Sequence, residues 1–234
     1  MTIVRRTHDD GAVLLTLDSP ANRNALSGRL VGELRRALEE AGEDPAVRFV
    51  VLGHTGPAFC SGADLTEDPP MAPLELVRLL RTVVELPKPV VARVNGHVRA
   101  GGSGLVGACD VAVAGEASSF AFTEARIGVA PAVVSLTLLP RLDPRAVSRY
   151  YLTGEVFDAG EAMRIGLVTA PEDALPSVLE GLRAASPQGL AESKALATQA
   201  VRAAFARDAE RLAALSGRLF GSAEARSRIA AWRR

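Results

Sequence analysis

Hydrophobic and polar positions follow two different periods in the first half of the chain. Short apolar runs, AVLLTL at 12–17 and VRFVVLG at 47–53, are typical of buried strands. Between them, segment 27–41 carries apolar residues three and four positions apart, which indicates an amphipathic helix with Gly42 as its C-cap. This alternation of strands and helices predicts an α/β fold.

The same rhythm continues towards residue 140. Segment 73–86, PLELVRLLRTVVEL, begins with proline and ends before Pro87, as helices commonly do. PVVARVNG at 89–96 predicts a strand, which a glycine-rich turn at 100–104 connects to a helix, and an apolar strand begins at Asp110. Beyond Pro140 the strand signal weakens and helical segments follow one another.

The chain contains no linker rich in proline, glycine and serine that would separate independent domains. We divide it into a core over 1–185 and a helical region over 186–234. The helical region has no sustained heptad pattern. We expect it to cover the core or a neighbouring subunit.

Charge and composition exclude several classes of function. Lysine plus arginine and aspartate plus glutamate both number 27 in 234 residues, so no global positive charge would attract nucleic acid. Cys60 and Cys109 form neither a CxxC motif nor a cluster with the three histidines, which argues against a metal site or disulfide framework. The first residues lack the apolar region of a signal peptide, and no apolar run reaches membrane-spanning length. We expect a cytoplasmic protein that binds neither membrane nor nucleic acid.

Two glycine-containing turns, at 56–65 and 95–104, follow apolar strands. In both we expect the chain to enter a helix, whose first N–H groups have no internal partner and favour negative charge. Either turn alone is more often an ordinary strand-to-helix connection. Side by side, the two turns would bind one developing oxyanion.

Glycine patterns in the second turn also suggest two other functions. GSGLVG at 102–107 matches the dinucleotide-binding pattern GxGxxG, with Glu124 near the position of the ribose-binding acid. However, HVRAG separates the pattern from the preceding strand and Asp110 follows where the helix should continue, so a nicotinamide oxidoreductase is disfavoured. Ser103 does not form a nucleophile elbow, because Leu105 replaces the final glycine of that motif.

Glu124 is the one acid in the apolar segment FAFTEARIGVAP at 120–131. A carboxyl in apolar surroundings has a raised pKa, which suits a general acid/base working near neutral pH. The alternative is a surface glutamate paired with Arg126. The residues alone support both interpretations equally.

Several segments, in this order, resemble the crotonase superfamily, the enoyl-CoA hydratase/isomerase family. They are ANRNALS at 21–27, AFCSGADL at 58–65, KPVVARVNGHVRAGGSGL at 88–105, FAFTEARIGVAP at 120–131, YYLTGEVFDAGEAMRIGLV at 150–168 and SKALA at 193–197. The resemblance implies a spiral of ββα units, the core at 1–185, with a helical C-terminal region at 186–234. It also implies an acyl-CoA thioester substrate, a homotrimer or a dimer of trimers, and no cofactor other than the coenzyme A of the substrate.

The resemblance assigns residues to the site. It places the oxyanion hole at the backbone N–H groups of Ala63 and Gly101, and proton transfer at Glu124. The coenzyme A contacts fall on Asn22, Arg23, Asn24, Ala25, Ala63, Asp64 and Leu65. No metal ligand is implied.

The sequence departs from the family pattern at two positions. Typical hydratases of the family have a second glutamate three residues after the oxyanion glycine, where this chain has Gly104. A single carboxylate fits hydration by one acid, which we favour, and also fits Δ3,Δ2-enoyl-CoA isomerisation or a non-catalytic acyl-CoA binder. Arg99 replaces an apolar residue of many relatives and would suit an acyl chain with a second carboxylate, although a surface or interface charge is the commoner role.

Overall fold

The computed structural model describes residues 2–68 and 70–232. The strands are β1 Val4–Asp9, β2 Ala12–Leu17, β3 Phe49–His54, β4 Ala58–Cys60, β5 Val90–Val94, β6 His97–Arg99, β7 Val111–Ala114, β8 Ser119–Ala121, β9 Phe157–Asp158 and β10 Ala170–Pro171. The α-helices are α1 Gly28–Glu43, α2 Pro73–Glu85, α3 Gly101–Ala108, α4 Ser135–Leu138, α5 Pro144–Thr153, α6 Ala159–Arg164, α7 Leu175–Ala184, α8 Pro187–Ala197, α9 Gln199–Phe220 and α10 Ala223–Trp232. Short 3₁₀ helices span Pro20–Asn22, Glu124–Ile127 and Glu172–Ala174.

The strands form two sheets, and the central strands of each sheet run parallel. The larger sheet has the order β1-β2-β3-β5-β7-β10 and is parallel except for the β1-β2 hairpin. The smaller sheet has the order β4-β6-β8-β9, in which only the last pair is antiparallel. Parallel strands need crossover connections, and helices supply them here.

The strand order arises from a repeated ββα unit. In each of three successive units the first strand joins the larger sheet and the second joins the smaller one: β3 and β4, β5 and β6, then β7 and β8. A helix follows each pair, namely α2, α3 and, after the Glu124–Ile127 turn, α4. The predicted spiral of ββα units is therefore confirmed.

Helix α1 shows how the sequence pattern becomes packing. Its buried residues, Leu30, Val31, Leu34, Leu38 and Ala41, recur at helical spacing and lie in the main hydrophobic core. The Ser27 hydroxyl caps the helix by accepting a hydrogen bond from the Leu30 N–H. The predicted C-cap at Gly42 is wrong by two residues, because the helix continues through Gly42 to a cap at Asp44.

Two expectations about the glycine-containing turns need correction. The first turn does not lead into a helix, since no helix begins in the described part of segment 61–72. In the second turn, His97–Arg99 forms the short strand β6 instead of a loop, and only then does α3 begin. Both differences follow from the spiral, in which each unit needs a second short strand for the smaller sheet.

The C-terminal helices pack onto the rest of the molecule. Helix α9 lies against α2 and α4 and buries Val201, Phe205, Ala209 and Ala213 in the main core. Helix α10 packs against the Glu124–Ile127 turn. The predicted boundary at 185/186 falls between α7 and α8 and stays a prediction.

A buried ion pair fastens α8 to the core. The Lys194 Nζ lies 2.8 Å from Asp110 Oδ2 and donates to the backbone carbonyls of Val83 and Lys88 at 2.8 and 3.0 Å. All three partners belong to the ββα spiral or its connections.

None of the described helices combines the length and the apolar character that a membrane span requires.

Candidate active site

The two glycine-containing turns meet in space. A Cβ built on Gly62 would lie 2.9 Å from the Ala100 Cβ and 3.6 Å from the Gly101 nitrogen. Because Gly62 has a φ of +94° and no side chain, the first turn can lie directly against the start of α3. The predicted side-by-side arrangement is present, although only the second turn opens a helix.

The backbone N–H of Ala63 points away from Leu26, the residue with which Ala63 forms a β-bridge. Leu26 and Ala63 form an isolated parallel bridge, in which the Leu26 N–H donates to Gly62 O at 2.8 Å and the Asp64 N–H to Leu26 O at 3.3 Å. The N–H of Ala63 points to the opposite side of this bridge and bonds no group in segments 2–68 and 70–232. It is free to bind a ligand oxygen.

Gly101 supplies the second N–H as the first residue of α3. The N–H groups of a first helical turn have no intrahelical partner, and none of the described residues accepts from Gly101. Ala100, with φ 47° and ψ −117°, sets the orientation of the Ala100–Gly101 peptide. A non-glycine residue in that region stores strain on the order of 1–3 kcal/mol, as is common at functional sites.

The segments predicted to contact coenzyme A are tied to the first turn. Ser61 donates its N–H to Arg23 O at 3.1 Å, and Asn22 Nδ2 donates to Asp64 Oδ2 at 3.2 Å. Arg23 and Ala63 are exposed, whereas Asn22, Asp64 and Leu65 are half-buried and Ala25 is buried. These residues therefore form one continuous edge beside the Ala63 N–H.

Asn24 occupies a different position from the other predicted coenzyme A contacts. Its side chain is fully buried, accepts from the Ser19 N–H, and donates to Thr55 O and Ala58 O. Because its side-chain amide is fully engaged in these hydrogen bonds, Asn24 can contact a ligand only through its backbone. Its φ of +52° shows that it shapes the turn.

Glu124 is the first residue of the 3₁₀ helix Glu124–Ile127 and is only 6% exposed. Its Oε2 has no hydrogen-bond partner among the described residues, and no cation pairs with it there. Burial raises the pKa of the carboxyl to about 7, and a hydrogen bond from its own backbone N–H opposes this rise. The alternative pairing with Arg126 is excluded, because the Arg126 guanidinium is exposed and donates to Thr153 O.

Comparison with known proteins decides the family. The family model described as enoyl-CoA hydratase/isomerase matches residues 7–226 of the chain.

The chain belongs to the enoyl-CoA hydratase/isomerase family.

Relatives and solved structures agree with this assignment. A crystal structure of an enoyl-CoA hydratase from Mycobacterium avium is 54% identical, has a TM-score of 0.92, and covers 98% of this chain and 95% of its own. The (E)-benzylidenesuccinyl-CoA hydratase of Thauera aromatica is 30% identical over 198 residues, 81% of this chain and 77% of that protein. The crotonyl-CoA hydratase of Syntrophomonas wolfei is 30% identical over 182 residues, 73% and 70% of the two chains. Both the family and the crotonase-type fold are thereby confirmed.

Gly104, where typical hydratases of the family have their second glutamate, lies in a tight helix contact. A Cβ at this position would be 2.6 Å from Val134 Cγ1 and 3.2 Å from Val134 Cα. The Thr137 hydroxyl donates to Gly104 O at 2.9 Å, which fixes the approach of α4 to α3. Val134 thus occupies the space into which a glutamate at 104 would project.

Arg99, the other departure from the family pattern, is bound to its own sheet. Its guanidinium donates to Val98 O at 2.9 Å, to Ser119 O at 2.7 Å and to Ser119 Oγ at 2.9 Å. Partial burial lowers the pKa of Arg99. These bonds tie the side chain to strands β6 and β8 of the smaller sheet. Few of its N–H groups remain to bind an acyl carboxylate.

The competing motifs do not form sites in the enoyl-CoA hydratase/isomerase fold. GSGLVG at 102–107 lies inside α3, so it cannot form the strand-to-helix turn that holds a pyrophosphate. Cys60 and Cys109 are buried free thiols whose pKa values burial raises to about 12. Within the described ranges, no three His, Cys, Asp or Glu side chains group as a metal ion would require.

A separate concavity of about 600 Å³ lies outside the smaller sheet. It is lined by Ser119, Arg149, Tyr150, Val156, Phe157, Asp158, Glu161 and Arg164. Its arginines are already paired, Arg149 with Glu155 and Arg164 with Glu161, at 2.5 and 2.6 Å. It contains none of the predicted site residues.

Sequence reasoning missed the residues that surround Glu124 and Gly104. Val134 and Tyr151 lie in segments that the sequence identifies only as apolar or helical. The one available signal was the glycine pair Gly104 and Gly107, three residues apart, which indicates a helix face that another helix approaches closely. Which side chain packs against this glycine face depends on the tertiary fold.

Proposed function

We propose that the protein hydrates a 2-enoyl-CoA thioester, holding the enolate oxygen with the N–H groups of Ala63 and Gly101 and transferring protons with Glu124. The observation that supports this proposal is the buried carboxyl of Glu124, whose Oε2 has no hydrogen-bond partner in the described part of the chain and whose pKa burial raises to about 7. A group of that pKa can both accept and return a proton at neutral pH. The named hydratases among the relatives agree with this chemistry.

In the proposed reaction one carboxylate serves both proton transfers. The Glu124 carboxylate takes a proton from water as the water oxygen bonds to the β-carbon of the thioester. The C=C electron pair moves to the α-carbon and the thioester oxygen, giving an enolate. Glu124 then returns its proton to the α-carbon, so the product carries the elements of one water molecule.

The oxyanion donors act where negative charge develops. Ala63 and Gly101 belong to two turns that already lie in contact, so their N–H groups need little reorganisation when the enolate forms. One preorganised donor of this kind is typically worth about 3–4 kcal/mol of transition-state stabilisation. The edge formed by Asn22–Ala25 and Ala63–Leu65 would hold the coenzyme A portion, and no other cofactor takes part in the proposed reaction.

A second candidate function, Δ3,Δ2-enoyl-CoA isomerisation, is favoured by the packing of Gly104. Moving one proton between two carbons of an enolate needs one base, and Val134 leaves no room for a second carboxylate at position 104. The same N–H groups and the same Glu124 would serve this reaction. The two reactions differ in where the proton comes from and where it goes. Isomerisation moves it from the α-carbon to the γ-carbon, whereas hydration takes it from water and delivers it to the α-carbon.

Incubation with a panel of 2-enoyl- and 3-enoyl-CoA thioesters in ¹⁸O-labelled water, followed by mass spectrometry, separates these functions. Hydration adds one labelled oxygen to the 2-enoyl substrate. Isomerisation converts the 3-enoyl substrate without uptake of oxygen. Coenzyme A thioester affinity without either product would contradict both functions and leave a binding protein.

We further propose that the protein assembles as a trimer or a dimer of trimers, as the family resemblance implies. Leu152 and Val156 are 80% and 58% exposed in the single chain, which agrees with a surface that another subunit covers. Light scattering after size-exclusion chromatography tests this assembly. A monomer at micromolar concentration would contradict it.

A further inference from the structure

Helix α5 places a tyrosine ring beside the segment that carries Glu124. The Tyr151 ring contacts the Phe122 ring edge to face, with centroids 4.9 Å apart and planes at 70°. Phe122 is fully buried and lies two residues before Glu124. Helix α5 also packs directly against the Glu124–Ile127 turn. Tyr151 is therefore fixed near the start of that turn by a ring contact that does not depend on its hydroxyl.

The Tyr151 hydroxyl contacts the residue that follows Val134, whose side chain fills the position of the missing second carboxylate. It lies 3.3 Å from the Ser135 Oγ, and Ser135 directly follows Val134, the residue that packs on Gly104. The Ser135 hydroxyl donates to Pro131 O at 2.6 Å, so its proton is already used. The phenol is consequently the donor in the long contact with Ser135, and a closer acceptor would draw its proton away.

The charge of Glu124 affects the pKa of Tyr151 without a hydrogen bond between the two side chains. The charge of Glu124 and, more strongly, burial raise the pKa of Tyr151, so the phenol keeps its proton at all pH values of interest. Glu124 Oε2 has no partner in the described residues. A neutral phenol can donate beside a carboxylate without the like-charge repulsion that a second glutamate would cause.

We propose that Tyr151 is a further catalytic residue, its hydroxyl donating to the water that Glu124 Oε2 deprotonates. Tyr151 would thereby provide, from helix α5, the second polar contact that Gly104 cannot provide from helix α3. The water would bridge two groups that now lack a mutual bond. This inference rests on the proposed function, since it assigns Tyr151 a role in the reaction of Glu124.

The neighbouring tyrosine offers a matched control. The Tyr150 hydroxyl donates to Glu161 Oε1 at 2.7 Å, and its ring packs on Phe157 with centroids 4.3 Å apart. Tyr150→Phe removes the same atom from the same helix and loses a shorter hydrogen bond, but that bond is to Glu161 and not to Ser135. Tyr151→Phe retains the ring contact with Phe122, so the variant should fold.

The test compares Tyr151→Phe and Tyr150→Phe with the parent in two ways. The first is the pH dependence of kcat and KM for 2-enoyl-CoA hydration. The second, which needs no activity, is the titration of Glu124 followed by NMR of ¹³C-labelled glutamate, assigned with Glu124→Gln. Tyr151→Phe should lower kcat about tenfold with a smaller change in KM, because a hydrogen bond to a charged system is lost. It should also move the Glu124 titration upward, because the water that bridges the phenol and the carboxylate loses one of its two partners.

Each outcome of this test is decisive. A shifted titration and lowered kcat in Tyr151→Phe, with parent behaviour in Tyr150→Phe, supports the inference. An unchanged Glu124 titration in Tyr151→Phe overturns it, as do equal shifts in both variants. If Glu124→Gln keeps full turnover while Tyr151→Phe still shifts the Glu124 titration, the contact stands and the proposed role of Glu124 in catalysis is overturned.

Discussion

At the scale of single residues, the cost of burying Glu124 should be visible in stability as well as in catalysis. Its pKa is about 7 in the folded chain against an ordinary value of 4.5. Because the folded state holds this proton more tightly than the unfolded state, the free energy of unfolding falls as pH rises from about 4.5 to about 7. Above that window the carboxylate is charged and buried, and its Oε2 has no hydrogen-bond partner among the described residues.

Glu124→Gln should therefore stabilise the protein at high pH. We expect a gain of about 3 kcal/mol at pH 8, and little difference at pH 4, where the parent carboxyl is already neutral. Urea denaturation at the two pH values measures this, with the exposed Glu192→Gln as the control that should change neither. Equal effects of Glu124→Gln at both pH values would show that the carboxyl is not held with a raised pKa.

The oxyanion donors can be tested through the backbone of Ala63. Ala63→Pro deletes the N–H, while Ala63→Gly keeps it and removes only an exposed methyl group. Turnover should fall by a factor of about 10²–10³ in the proline variant and remain near the parent value in the glycine variant. Circular dichroism establishes that both are folded, and a folded, fully active Ala63→Pro protein would rule out this donor.

At the scale of elements, the contact between α3 and α4 shapes the site. Gly104 and Gly107 let α4 approach so closely that a Cβ at either position would lie 2.6 Å from a side-chain carbon of Val134 or Leu138. By the pattern of typical hydratases of the family, Gly104→Glu would restore a two-carboxylate site. The structure instead predicts a collision with Val134, so this variant should lose its fold before it gains hydration.

A smaller change tests the same contact. Gly104→Ala should lower the free energy of unfolding by about 1–3 kcal/mol, because the helix pair cannot separate without losing packing elsewhere. Gly181→Ala is the matched control, since Gly181 lies within α7 and a Cβ there would meet nothing within 4 Å. That control should gain up to about 1 kcal/mol from helix propensity. Thermal or urea denaturation of both variants decides the point, and a stabilised Gly104→Ala protein would contradict the packing.

Sequence patterns predicted the elements unequally. Helices α1 and α2 carry enough apolar periodicity and end signals for their positions to follow from the sequence within two residues. The three-residue strands β4, β6 and β8 are too short to show a period, so the turn at 95–104 was expected to be a loop connection. Their pairing depends on neighbours about 20 to 40 residues away, which no local pattern contains.

Some residues of the candidate site could likewise be predicted from the sequence, whereas others depend on the tertiary fold. Glu124 stands out in the sequence because it is a lone acid among apolar residues, and the resemblance located Ala63 and Gly101. Sequence alone could not decide between a buried acid and a surface pair with Arg126, because burial depends on α5 and α10 packing over the turn. Tyr151 and Val134 gave no signal for the same reason.

At the scale of the whole molecule, the Lys194–Asp110 pair connects the helical C-terminal region to the spiral. Breaking a buried pair leaves an uncompensated charge, so Lys194→Met should cost about 3–5 kcal/mol of stability. Asp110→Asn should recover part of that loss in the Lys194→Met background. It removes the unpaired negative charge of Asp110 and keeps an oxygen that accepts from the Val90 N–H. Denaturation of the two single variants and the double variant measures the coupling. Additive losses would contradict a direct pair.

The most direct test of Glu124 as the proton-transfer group is the pH dependence of kcat/KM for thioester hydration, measured in the parent and in Glu124→Gln. In the parent, kcat/KM should rise with pH to a plateau with an apparent pKa of about 7, because the reaction begins with the carboxylate. In Glu124→Gln it should fall by about two to four orders of magnitude and lose this pH dependence, while thioester affinity stays near the parent value. A variant with parent turnover and the same pH profile would contradict the proposed mechanism.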